Sequence, residues 1–389
     1  MERFAIDDLR SGKMAWDLRV PTTPGIDPWC TRLAWQLSVH SAFGTGTLSS
    51  TEADEQQPTG LDNTTSPDEG LFVATADWSM ALRNQQFDAT NALVPLDAVW
   101  GFASPFVLTT GNASAFQIQQ WANEMGEVLL HEPNWVLAFL TGVAPVSPLD
   151  EALLRALSAQ VRLVAGEPTI RCVASLVGGP DAFLDRRSRS FCRNLRQATS
   201  RANAAGLTIK SVDVTGLSGS QVIARLVAIE NQSWKGLEDS GITSPDMATL
   251  YTCLIDHFNA QPVSPGSCDP CQSSSSVAAP SGPSDDQLVL PSGRLTGDGN
   301  GIRLSVAHLD GVDVGFILGG VIDGRYRGFQ LSFTQSVRTL SVGNLLQLYE
   351  IRRLCSEGVH TYDLGMDMEY KRAWSDSVFT TRPIIAVRQ

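Results

Sequence analysis

The alternation of hydrophobic and polar positions is clearest in residues 325–374, where it predicts strand, turn, helix, strand. In residues 326–333, Tyr326, Gly328, Gln330 and Ser332 alternate with the other four positions, so we expect those four on one face of a strand. The next apolar positions recur at helical spacing, and they are Leu345, Leu348, Ile351 and Cys355. Gly358 then ends the helix and residues 359–364 form a second strand. This order predicts two parallel strands joined by a crossover helix.

A hairpin is predicted just before this segment. Residues 304–309 and 312–322 read as strands, and Asp310-Gly311 between them is a strong short-range hairpin signal. Three antiparallel strands therefore lead into the polar turn at residues 334–344.

The pattern in residues 1–180 predicts a mixed α/β half of the chain, in which short strands (71–74, 92–96) alternate with helices (116–130, 147–159). We find no chemical motif in it. Residues 44–70 and 262–300 carry little apolar area, so we expect a flexible loop and a disordered insertion. Cys268 and Cys271 form a lone CxxC without a second pair, and no metal site is predicted.

Composition narrows the class of protein. The 389 residues are 43% hydrophobic and 18% charged, which is typical of a globular protein with room for two domains. The formal net charge of −12 disfavours nucleic-acid binding. We find no signal peptide and no apolar run of the roughly 20 residues that a membrane span needs. Seven scattered cysteines fit a reducing compartment, so we expect a cytoplasmic protein.

The turn before the predicted helix reads Arg338-Thr339-Leu340-Ser341-Val342-Gly343. Its position between strand and helix resembles the R/Q-x-x-G-x-G/A loop of the GNAT superfamily, although Ser341 stands where the first glycine would be. Further segments in one order resemble the tandem-GNAT branch similar to Fem-type peptidyltransferases; they are residues 191–196, 233–236, 326–328, 343–346, 362–365 and 370–371.

The resemblance implies an α/β fold with mixed sheets, built as two tandem GNAT-like halves. We expect a degenerate half at 1–180 and a GNAT domain with the complete donor-binding core at 181–389. The implied activity is transfer of an acyl group from a CoA or carrier-protein thioester to an amine of a peptide or small molecule. Fatty acylation of a peptide is included. Two alternatives stay open: tRNA-dependent aminoacyl transfer of Fem type, and a binding module without catalysis.

The resemblance also implies a donor site at the loop, because amides at the start of a helix suit phosphates. The donor-binding candidates are Arg338, Thr339, Leu340, Ser341, Val342, Gly343, Asn344, Leu345 and Lys371. No metal is expected.

N-acyl transfer requires placement of the amine, acceptance of its proton and stabilisation of the oxyanion. Our catalytic candidates are Asp363, Tyr370, Glu230 and Gln330. Asp363 interrupts an apolar strand and reads either as a general base or as one partner of an ion pair with Lys371 or an arginine. Glu230 and Trp234 are expected on one face of a helix over residues 220–237. The candidates for acceptor binding are Trp234, Tyr326, Ser332 and His308.

The most basic element is residues 181–205, predicted as a helix whose apolar face carries Phe191, Leu195, Ala198 and Ala202. Its arginines include Arg186, Arg187, Arg189, Arg193 and Arg196. They form either a solvated helix face or a docking face for an acidic carrier protein, an acidic peptide or nucleotide phosphates.

Overall fold

The computed structural model describes residues 1–44, 69–87, 90–109, 111–238, 240–260 and 299–388. Almost all of the predicted flexible loop and insertion, with Cys268 and Cys271, lies outside these residues.

The chain divides into two compact units. Unit one comprises Met1–Arg171, Thr249–Leu254 and Val378–Gln389; unit two comprises Cys172–Ala248 and Ile255–Ser377. The chain therefore returns to unit one after unit two, a return that the expected division at residue 180 does not include.

The described residues form strands β1 (Glu2–Phe4), β2 (Gly70–Ala74), β3 (Trp78–Phe87), β4 (Thr90–Val94), β5 (Phe106–Leu108), β6 (Leu137–Val143), β7 (Arg162–Ala165), β8 (Thr169–Ser175), β9 (Thr208–Val212), β10 (Gly301–Leu309), β11 (Val312–Ile322), β12 (Arg325–Phe333), β13 (Thr361–Met366) and β14 (Ser377–Val387).

The helices are α1 (Ile6–Arg10), α2 (Trp16–Arg19), α3 (Leu33–Phe43), α4 (Ala115–His131), α5 (Pro148–Leu157), α6 (Gly179–Asp185), α7 (Arg189–Ala204), α8 (Gly219–Glu230), α9 (Trp234–Leu237), α10 (Pro245–Ala260), α11 (Val342–Ser356) and α12 (Glu369–Arg372). Three short 3-10 helices span Val20–Thr22, Gly241–Thr243 and Gln335–Leu340.

The sheet of unit one runs β1-β2-β3-β4-β6-β14, with β7 also on β14 and β5 on β3. Strands β1 to β4 pair antiparallel in succession, whereas β4 pairs parallel with β6. Helix α4 is the crossover between those parallel strands. Strand β14 pairs antiparallel with both β6 and β7.

The sheet of unit two runs β9-β10-β11-β12-β13. The first four strands pair antiparallel, and β12 pairs parallel with β13 across helix α11. Each unit thus contains antiparallel strands followed by one parallel pair with a crossover helix. The predicted mixed α/β fold in two related halves is confirmed.

Local signals explain most element boundaries in unit two. Asp310 and Gly311 both have positive φ (51° and 79°), as a two-residue hairpin turn between β10 and β11 requires. Gly358, at φ 76°, follows α11 and allows the chain to leave the helix.

Two sequence predictions differ from the structure. The helix predicted over residues 220–237 ends at Glu230, and Ser233 caps the separate helix α9 by accepting from the amides of Lys235 and Gly236. Strand β3 was not predicted, because its buried arginine and glutamine interrupt the apolar pattern.

Helices cover both faces of the sheet of unit two. On one face, Glu350 of α11 accepts from the Ser305 hydroxyl at 2.6 Å. On the other, Glu230 of α8 contacts Gln330. Among the residues that the structure describes, none of the helices has the length and hydropathy to span a membrane.

Candidate acyl-transfer site

A β-bulge in β12 changes which side chains face the site. The register between β11 and β12 shifts between Leu318 and Gly319, which pair with Gln330 and Gly328, so Phe329 is an extra residue. Because one extra residue reverses the alternation, Gln330 lies on the face opposite to Tyr326 and Gly328. The predicted common face of Tyr326, Gly328, Gln330 and Ser332 is therefore wrong beyond the bulge.

Strands β12 and β13 pair for only part of their length. The paired residues are Arg325–Arg327 with Thr361–Asp363. At the last pair, Nη1 of Arg327 donates to Oδ2 of Asp363 at 2.6 Å. Beyond it the strands have no ladder bonds, so the edge of β12 after Arg327 is open to an extended ligand.

Glu230 fixes the orientation of Gln330. The Glu230 carboxylate is fully buried and accepts from Nε2 of Gln330 at 2.9 and 2.8 Å, and from the amide of Ile242 at 2.6 Å. A Cβ on Gly241 would lie 2.4 Å from Oε1 of Glu230, so only glycine fits there. Trp234 does not share a helix with Glu230, and its side chain is half exposed (50%).

Two lysines extend this cluster. Nζ of Lys235 donates to the Leu331 carbonyl at 2.9 Å on the open stretch of β12, and Nζ of Lys371 donates to the Met366 carbonyl at 3.2 Å. Burial lowers the pKa of Lys235, although the Glu230 carboxylate opposes that shift. Burial also lowers the pKa of Lys371 against the opposing field of Asp363. The two ammonium groups lie close enough for Lys235 to lower the pKa of Lys371 further.

Asp363 is held from two sides, by Arg327 and by the Gly365 amide, which donates to Oδ1 at 2.8 Å. The ion pair considered from the sequence is present, with Arg327 as the partner. Gly365 has φ 82°, and a Cβ on it would lie 3.3 Å from Nζ of Lys371. Tyr370 is exposed, and Nζ of Lys371 lies 5.9 Å from the centre of its ring.

The loop predicted to bind the donor is a 3-10 helix followed by a left-handed residue. Ser341 has φ 57° and ψ 38°, a conformation that glycine adopts most readily, and it precedes α11 without capping it by its side chain. The amides of the first turn of α11 therefore lack the side-chain cap that most helices have.

The side chains of this loop divide into two groups. Val342 and Leu345 are buried in the core, so only their backbone could reach a ligand. Arg338 and Thr339 are exposed. A groove of about 340 Å³ is lined by Trp234, Phe333, Gln335 and Arg338. Arg338 therefore lies beside Trp234, a candidate for acceptor binding.

Three acceptor candidates do not line this groove. Tyr326 is fully buried and its ring packs edge-on against Tyr362 with ring centres 4.7 Å apart. Ser332 is also buried. His308 lies near the hairpin end, with Nδ1 2.8 Å from Oδ1 of Asp313.

The basic element consists of two helices. Arg186 and Arg187, ahead of α7, form ion pairs with Asp376 at 3.0 and 2.9 Å, and Arg187 stacks on Phe183. These two ion pairs join the segment before α7 to the segment before β14. The predicted apolar face is present, with Leu195, Ala198 and Ala202 buried. Arg189, Arg193 and Arg196 of α7 are exposed, and they are called the arginine stripe below.

Sequence reasoning missed Arg327 and Lys235 as site residues. Arg327 was expected on the strand face opposite to Tyr326, Gly328, Gln330 and Ser332, and its burial was not evident. The only signal for Lys235 was its place before Gly236 in residues 233–236, a segment that resembles the tandem-GNAT branch.

The geometry of unit two agrees with comparisons to known proteins. Residues 292–372 match the family model described as an acetyltransferase (GNAT) domain. This stretch of unit two is therefore similar in sequence to a GNAT domain. A search of the curated proteins finds no match.

Solved structures extend the likeness in fold to the whole chain. The structure of FemX is similar with a TM-score of 0.55 at 11% identity, over 98% of this chain and 97% of that one. A conserved protein of unknown function from Bacteroides thetaiotaomicron is similar with a TM-score of 0.53 at 9% identity, over 100% and 99%. The chain thus combines the GNAT domain with the two-part Fem-like fold and is an acyltransferase.

Proposed function

We propose that unit two transfers an acyl group from a thioester to an amine at the open edge of β12. The observation that carries this proposal is the separation of β12 from β13 beyond Arg327 and Asp363, beside the uncapped start of α11. A pantetheine arm carries amides that can pair with an unpaired strand edge. Arg338 and the first amides of α11 would hold its phosphates.

Asp363 and Lys371 would carry out the proton transfers of the reaction. Asp363 takes the proton of the acceptor ammonium, and the freed amine attacks the thioester carbonyl carbon. The carbon–sulfur bond breaks, and Lys371 protonates the leaving thiolate, since a lowered pKa makes its ammonium a stronger acid. Lys371 then takes the second proton from the nitrogen of the new amide, and Asp363 releases the proton it accepted to solvent. Gln330, fixed by Glu230, would orient the acceptor.

The donor would be a carrier-bound thioester, and a fatty acyl group bound to an acidic carrier protein is our specific suggestion. Helix α7 packs Ala198 and Ala202 against Val337 and Val342 of the donor loop. The arginine stripe is on the opposite side of this helix, and α7 contains no acidic residue. An acidic carrier could dock there without displacing a local ion pair.

The test uses the purified chain with acetyl-CoA, palmitoyl-CoA and palmitoyl-acyl carrier protein, and a panel of amines and peptides. Thiol release that depends on the amine supports transfer. Lys371→Met should abolish it, whereas Arg372→Met, an exposed neighbour paired with Asp367, should not. Thermal shift with each donor checks binding separately.

Failure of every thioester to shift or react would contradict the proposal. Activity that requires charged tRNA and is lost with ribonuclease would establish aminoacyl transfer instead. Binding of a thioester without any release of thiol would identify a binding module.

A further inference from the structure

Arg83, in unit one, is a buried cation that has no partner of opposite charge among the residues that the structure describes. Its side chain lies on β3 and is only 4% exposed. Its Nη2 donates to Oε1 of Gln85 at 2.7 Å, and its Nη1 has a long bond of 3.4 Å to the Gly44 carbonyl. Within the described ranges no carboxylate pairs with it, and burial lowers its pKa to about 10.

Two hydrogen-bond donors at this place are unused. Nε of Arg83 and Nε2 of Gln85 are both buried and have no acceptor in the part of the chain that the structure describes. Gln85 is 8% exposed, so water does not readily supply the missing bond. A buried charge and buried donors without partners are costly to a fold, and such groups are retained where a ligand completes them.

The neighbouring side chains offer an apolar wall. Arg83 and Gln85 pair in register with Val94 and Ala92 on β4, both small residues. Two residues beyond Gln85, Phe87 meets Phe139 of β6 with ring centres 5.9 Å apart, and both rings are partly exposed.

We infer that Arg83 and Gln85 form a binding site in unit one for the carboxylate of a small organic acid with an apolar tail. A guanidinium beside a side-chain amide presents donors that suit the two oxygens of a carboxylate. The aromatic pair would contact the tail. This site is independent of the acyl-transfer chemistry, and its test needs no enzymatic assay.

The test compares three variants by thermal unfolding, in sodium chloride and then in sodium acetate, sodium hexanoate or sodium phosphate of equal ionic strength. Arg83→Met removes the buried charge and keeps the volume. Gln85→Glu supplies a carboxylate within the chain. Arg162→Met, an exposed arginine of the same unit, controls for net charge.

In chloride we expect Arg83→Met and Gln85→Glu to unfold at a higher temperature than the wild type, because the first removes the uncompensated charge and the second neutralises it. Hexanoate should raise the midpoint of the wild type and of Arg162→Met by a few degrees, with acetate weaker. Neither Arg83→Met nor Gln85→Glu should respond.

Three results would overturn the inference. One is a lower midpoint for Arg83→Met in chloride, which would make Arg83 a structural residue. Another is an equal response to hexanoate in all four proteins. A response to phosphate but not to carboxylates would assign the site to a different class of anion.

Discussion

Nη1 of Arg327 and Oδ2 of Asp363 lie 2.6 Å apart at the last paired position of two parallel strands that then separate. Arg327 is 5% exposed and Asp363 16%, so neither charge can be solvated fully if the other is removed. The pair therefore closes the β12–β13 ladder at the place where the open edge of β12 begins.

Replacing one residue of the Arg327–Asp363 pair should destabilise the fold more than replacing both. We expect Arg327→Met to lower the free energy of unfolding by about 3 kcal/mol, because it leaves the Asp363 carboxylate without its counter-ion. The double variant Arg327→Met/Asp363→Asn should recover about 1–2 kcal/mol of this loss. Urea denaturation of the wild type, Arg327→Met, Asp363→Asn and the double variant measures the coupling, and additive effects would show that the pair contributes nothing.

Position 341 should tolerate glycine better than a β-branched residue. Its left-handed conformation costs an L residue about 1–2 kcal/mol, so Ser341→Gly is expected to stabilise the fold slightly or leave it unchanged. Ser341→Val should destabilise it and weaken binding of the donor. Chemical denaturation and titration with palmitoyl-CoA measure the two effects; a stable, fully active valine variant would contradict the argument.

The pH dependence of activity should report Lys371. Burial lowers its pKa, so the protonated form that the proposed mechanism uses is lost at a lower pH than for an ordinary lysine. We expect the rate to fall on the alkaline side through this pKa. Lys371→Arg should move that limb to higher pH at a reduced rate. An unchanged profile in the arginine variant would exclude Lys371 as the acid.

Charge reversal in the arginine stripe should weaken use of a carrier-protein donor but not of free acyl-CoA. Arg193→Glu is expected to raise the KM for palmitoyl-acyl carrier protein about tenfold and to reduce its salt dependence. The matched control is Arg162→Glu, an exposed position in unit one. Equal effects of both variants would reject docking at the stripe.

Lowering the pH should weaken the ion pairs of Asp376 with Arg186 and Arg187. Burial raises the pKa of this carboxyl, but hydrogen bonds from Arg186 and Arg187 outweigh it and set the pKa below the ordinary 3.8. The stabilisation is therefore complete above that value and is lost as the pH falls through the folded pKa. We expect Asp376→Asn to lower the free energy of unfolding by about 1–2 kcal/mol at pH 6. The difference from wild type should shrink below pH 4. Asp181→Asn, an exposed acid, serves as control.

Much of unit two could be predicted because local signals agree with the fold. Asp310-Gly311, the apolar spacing of Leu345, Leu348 and Ile351, and Gly358 each fix an element by local geometry. The bulge at Phe329 has no such signal, since no single residue marks it. The face of Gln330 was therefore predicted wrongly.

The site could be predicted only as far as its residues lie close in sequence. Asp363, Lys371 and the donor loop are candidates that come from one segment of the sequence. The contacts of Glu230 with Gln330, and of Lys235 with Leu331, join parts of the chain that only the tertiary fold brings together. Nor does the sequence show why residue 241 is a glycine, whose missing side chain leaves room for the Glu230 carboxylate.

The return of the chain to unit one has a consequence for biosynthesis. Strand β14 supplies the partner of both β6 and β7, yet the ribosome makes all of unit two between them. Until β14 emerges, the nascent chain presents an incomplete sheet whose free edge could recruit another molecule. Unit two, with its local hairpin and crossover, is the part that could fold first. We therefore expect chains stopped before Val378 to be captured by chaperones or to aggregate.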